Sequence, residues 1–63
     1  MIDQILKLLQ PEQRQRLMYA FENEFAQFIE LPNGKFIGVN ITPISNLKCL
    51  ETVGVWAYGE IEK

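Results

Sequence analysis

The chain has 63 residues, 48% of them apolar, with six Lys or Arg against eight Asp or Glu, a net charge of −2 and no His. That length allows one domain and no second core, and a single Cys (Cys49) excludes an internal disulfide. Without His, and with carboxylates that are mostly scattered Glu, the common metal-ligand sets and the common general base are missing.

Residues 2–9 place Ile2, Ile5, Leu6 and Leu9 on one face of a short helix, with Asp3 favourable near its start. Pro11 interrupts, and Glu12 behind it suits the positive end of a new helix, so Gln10-Pro11-Glu12 reads as a restart. The second helix is expected to run at least to Phe21. Its Gln13, Arg14, Gln15 and Arg16 face water, while Leu17, Met18 and Phe21 start an apolar stripe. Residues 25–31 fit either a continuation of that stripe or a first strand. The strand is favoured by Leu31-Pro32-Asn33-Gly34-Lys35, which reads as a three-residue hairpin loop with a type I turn and a G1 bulge.

That loop sets a register. Leu31 faces Lys35, Ile29 faces Ile37, Gln27 faces Val39 and Phe25 faces Ile41. One face then collects Phe25, Ile29, Leu31, Ile37, Val39 and Ile41; the other collects Ala26, Phe28, Glu30, Phe36, Gly38 and Asn40. A two-residue Asn-Gly loop would mix the faces.

Residues 42–46 read as a turn. Residues 47–61 then read as one strand, apolar at Leu47, Cys49, Val53, Val55, Ala57 and Ile61, broken at Glu51, with Gly54 marking a bulge or bend. A rival reading places a short helix from Thr42-Pro43, burying Ile44, Leu47 and Leu50, and leaves residues 43–51 open between helix and strand. The expected fold is one α+β domain over 1–63, helical over 2–24 and β-rich over 25–61. One or two N-terminal helices cover one face of a three-stranded antiparallel meander.

Little catalytic chemistry is on offer. Ser45 and Cys49 have no His beside them, and read as a turn serine and a small buried cysteine. Glu22/Glu24 and Glu60/Glu62 read as solvated surface pairs. The glycines match neither the P-loop nor the dinucleotide spacing. No catalytic, metal or cofactor residue is predicted, and an enzyme is disfavoured.

The constellation with functional content is aromatic. Trp56 and Tyr58 are expected to share the helix-free sheet face with Phe28 and Phe36 around Gly38, with Lys35 and Glu60 as rim charges. Open apolar surface on a small protein marks an interaction site, and Trp and Tyr are frequent anchors. Phe36–Leu47 and Thr52–Gly59 carry no charge, which adds edge-strand pairing as a route to association. The chain therefore reads as a non-catalytic protein-interaction module binding a protein partner or itself: a regulator, inhibitor or accessory subunit of bacterial or phage kind. Single-stranded nucleic-acid binding on the aromatic face is the alternative, disfavoured by the acidic balance. With no secretion signal or apolar run long enough to span a bilayer, a cytoplasmic location is expected, and no membrane partner.

Overall fold

The computed structural model describes residues 1–42 and 46–62. Two helices, α1 (Ile2–Leu8) and α2 (Pro11–Asn23), precede four strands: β1 (Gln27–Leu31), β2 (Lys35–Val39), β3 (Leu47–Val53) and β4 (Trp56–Ile61). The strands form one antiparallel sheet in the order β1-β2-β4-β3. The expected α+β class holds, with one strand more than the expected three. The segment read as one strand over 47–61 is a hairpin. Val53 faces Trp56 across a two-residue turn whose first residue, Gly54, has φ +59°. Glycine fits that place in a type II′ turn, but the following Val55 is no turn former and hides the turn among strand-like residues. Residues 47–51 are strand, not helix. Of the segment read as a turn, residues 43–45 lie outside the described residues.

Leu9 and Gln10 link the helices in extended conformation, as Pro11 requires of the residue before it. The Gln10 N–H donates to Gln13 Oε1 at 2.9 Å, satisfying a backbone donor at the start of α2. The helix ends at Glu24, which adopts the left-handed conformation (φ 59°); both Glu24 N–H and Phe25 N–H donate to the Ala20 carbonyl. This stop settles residues 21–31 as helix to Asn23 and strand from Gln27.

The β1–β2 register is the expected one: Leu31 faces Lys35, Ile29 faces Ile37 and Gln27 faces Val39. The turn differs in type. Asn33 itself is left-handed (φ 67°), followed by Gly34 at φ +72°, so the loop is not a type I turn with a single G1 glycine. Asn is the side chain other than Gly that tolerates this conformation best.

The helices cover one sheet face. α2 packs on β1 and β2, and α1 on β3 and β4. The core between them holds Ile2, Leu9, Leu17, Ala20, Ile29, Ile37 and Val39, with Trp56 and Tyr58 packed against it. Ile2 N–H donates to Glu51 Oε2 at 3.1 Å, tying the start of α1 to β3. On the opposite face Phe36 and Ala57 are also buried. Phe36 stands across from Gly59 and meets the Phe28 ring edge to face at 6.0 Å. A Cβ on Gly38 would sit 2.8 Å from Phe28 Cβ and from Ile41 Cγ1, so Ile41 lies on this second face.

Candidate functional site

Trp56 and Tyr58 do not share a face with Phe28 and Phe36. In register, Trp56 faces Val39 and Tyr58 faces Ile37, both on the helix-covered side, while Phe28 and Phe36 alternate to the other side. The Pro32-Asn33-Gly34 loop sets the faces of β1 and β2, but no local signal names the partner strand that decides which way β4 faces. Phe36 is fully buried within the chain, and Phe28 is half-buried. Lys35 and Glu60 do meet, Nζ to Oε1 at 2.7 Å across β2 and β4. That hydrogen bond holds the Lys35 ammonium above its ordinary pKa and the Glu60 carboxyl below its own. Cys49, expected buried, is exposed on the edge strand β3, where a bulge between Cys49 and Glu51 breaks the alternation. Ser45 lies outside the described residues.

Two separate aromatic pairs, one on either side of the last turns of α2, lie toward the end of the sheet where Gln27, Val39, Trp56 and Val53 stand in register. The Phe21 ring from the last turns of α2 stacks on Trp56 at 6.0 Å with 20° between planes. Tyr19 meets Phe25 edge to face at 5.7 Å. Val53 ends β3 opposite Trp56, and Val55 is the second residue of the β3–β4 turn. These side chains are held in place yet remain accessible: Tyr19 is 62% exposed, Phe21 44%, Phe25 41% and Val53 57%. Met18, one turn before Phe21 on α2, adds to the apolar surface.

Asn40 links the parts of this end. Its backbone is left-handed (φ 55°), its N–H donates to the Val55 carbonyl at 2.9 Å, and its Nδ2 donates to the Phe25 carbonyl at 3.2 Å. The same turn of backbone stops the β1–β2 ladder at Gln27–Val39 and carries Ile41 to the far face. This is why the expected Phe25–Ile41 pair does not form, and why Phe25 is left at the surface instead of in the core. Phe21, Phe25 and Tyr19 were not among the expected site residues. The available signal was Asn40, a turn former at the point where strand pairing had been extended by two further residues.

At the opposite end of the sheet, a groove of about 430 Å³ lies between α1 and the Pro32 turn, lined mainly by Ile5, Leu8, Leu9, Leu31, Pro32 and Tyr58. Its one cationic side chain, Lys35, is already engaged by Glu60. Among the described residues, no three of His, Cys, Asp and Glu converge as metal ligands, and no helix is long and apolar enough to cross a membrane. Comparison of the chain with protein-family models, with curated proteins and with solved structures gives no match.

Proposed function

We propose that this chain is a non-catalytic protein-interaction module, a small regulator, inhibitor or accessory subunit, whose binding surface is the aromatic end formed by Tyr19, Phe21, Phe25, Val53, Val55 and Trp56. The observation that carries the proposal is the exposure of three aromatic rings that neighbouring groups hold in fixed places. Rings fixed by stacking and edge contacts lose little freedom on binding, which suits them as anchors. The surface thus moves from the sheet face around Phe28 and Phe36 to the end of the sheet, and Trp56 belongs to both descriptions. Phe28, Phe36, Tyr58, Lys35 and Glu60 then serve the fold that presents it. A single exposed thiol, Cys49, fits a reducing cytoplasm. A nucleic-acid platform gains no support, because the chain carries a net charge of −2.

The test compares the wild-type chain with the Tyr19→Ser/Phe25→Ser double variant, both tagged and recovered from the source cell for native mass spectrometry. Neither ring lies in the core, so the variant is expected to keep its circular dichroism spectrum. The wild type is expected to carry a stoichiometric protein partner or a second copy that the variant loses. Identical complexes from both, or a bare monomer from the wild type, would remove the proposal.

A further inference from the structure

We infer that Asn33 is a site of spontaneous covalent modification, where the chain deamidates and its backbone is rerouted through the side chain. The site lies on the Pro32 turn, at the end of the sheet away from the binding surface proposed above. The chain has four asparagines, Asn23, Asn33, Asn40 and Asn46. Asn23 Nδ2 donates to the Tyr19 carbonyl at 2.8 Å and Asn40 Nδ2 to the Phe25 carbonyl at 3.2 Å, so both amides are tied. Asn33 is exposed, and among the described residues its amide has no hydrogen-bond partner. It alone precedes a glycine. Gly34 has no side chain to shield its nitrogen, and nothing stands within 4 Å of where a Cβ would be. Asn46 precedes Leu47, whose side chain hinders the equivalent nitrogen.

The chemistry is an intramolecular substitution that needs no oxidant or reductant. The Gly34 nitrogen loses its proton and bonds to Asn33 Cγ; the Cγ–Nδ2 bond breaks and ammonia leaves, closing a five-membered succinimide. Water then opens the ring at either carbonyl. Cleavage on the Cγ side leaves aspartate with the normal backbone. Cleavage at the main-chain carbonyl leaves isoaspartate, with Gly34 carried on the former side chain and one extra methylene in the chain path. The ring holds its residue at a ψ of about −120°, the value at the first central position of a type II′ turn, where φ is positive. Asn33 already has φ 67°, so the turn supplies that half of the geometry and only ψ, 23° at rest, has to swing. The Pro32-Asn33-Gly34 loop fixes the β1–β2 register, so a longer path through Asn33 loosens the hairpin on which α2 packs.

The test incubates the intact folded chain at mildly alkaline pH and maps its peptides by mass spectrometry, with electron-transfer fragmentation to separate aspartate from isoaspartate. Conversion is expected at Asn33, isoaspartate included, with Asn23, Asn40 and Asn46 intact. The thermal midpoint of the aged wild type is expected to fall by several degrees. That of Asn33→Gly, which suits the positive φ and cannot close the ring, is expected to stay constant. An Asn33 that survives an incubation in which the urea-unfolded chain converts would overturn the inference, since the folded turn then blocks ring closure. Conversion spread evenly over all four asparagines would overturn it as well. Conversion at Asn33 with an unchanged midpoint would leave the site standing and remove its effect on the hairpin.

Discussion

Glu24 occupies a backbone conformation that costs an L-residue about 1–2 kcal/mol and a glycine far less. Glu24→Gly is therefore expected to raise stability by about 1 kcal/mol, seen as a thermal midpoint several degrees higher. Gly59 behaves in the opposite way. A Cβ there would run into the Lys48 carbonyl and sit 2.9 Å from Cys49 Cα, because the β3 bulge brings that backbone across it. Gly59→Ala is expected to cost about 3 kcal/mol, the upper end of ordinary overpacking, since the obstacle is backbone and cannot rotate away. Denaturant unfolding measures both changes. In the sequence Gly59 is only a glycine inside a strand-like run, a position that asks for something close-packed over it. That the neighbour is a bulged backbone and not a ring depends on the β3–β4 pairing, which no local pattern announces.

Elements were legible where a local signal named both the turn and the register. Pro32-Asn33-Gly34 gave the β1–β2 pairing residue by residue, and the Ile2, Ile5, Leu6, Leu9 spacing gave the packed side of α1. They were not legible where one residue changed the direction of the chain. Gly54-Val55 turned one expected strand into two, and Asn40 ended a ladder that had been read through to Ile41. Asn40 is accordingly the element-scale test. Asn40→Ala loses the side-chain bond to Phe25 and strains the backbone, and is expected to cost about 2 kcal/mol; Asn40→Gly keeps the conformation and is expected to cost about half as much. Both should shift Trp56 emission to the red as the end loosens. The Lys35–Glu60 pair belongs to this scale as well, joining β2 to β4. Glu60 titrates lower in the folded chain, so its contribution is present above the ordinary glutamate pKa and is lost as pH falls through the lowered value. Lys35 titrates higher, so its contribution persists at neutral pH and is lost only as pH rises past the raised value. Urea midpoints between pH 7 and pH 3 are expected to fall more for the wild type than for Glu60→Gln, with a small difference because the pair is exposed.

At the scale of the whole molecule, the chain distributes its apolar material over three places. A helix-covered core holds Leu17, Ile37 and Val39; a second small cluster forms around Phe36 and Gly38; and a third group is left at one end of the sheet. Composition indicated a surplus of apolar side chains over what one covered face needs. It placed that surplus on the wrong part of the sheet, because the side to which β4 turns Trp56 and Tyr58 is set by pairing with β2 and not by alternation alone. The corrected location makes the central claim directly testable by photo-crosslinking in the source cell, with benzoylphenylalanine replacing Phe25, Leu8 or Phe28 in turn. Phe25 lies in the aromatic end, Leu8 is exposed beside the groove at the other end, and Phe28 is on the helix-free face. The account predicts a discrete crosslinked species from the Phe25 position and none from the other two. Crosslinks of equal yield from Leu8 or Phe28, or none from Phe25, would contradict it.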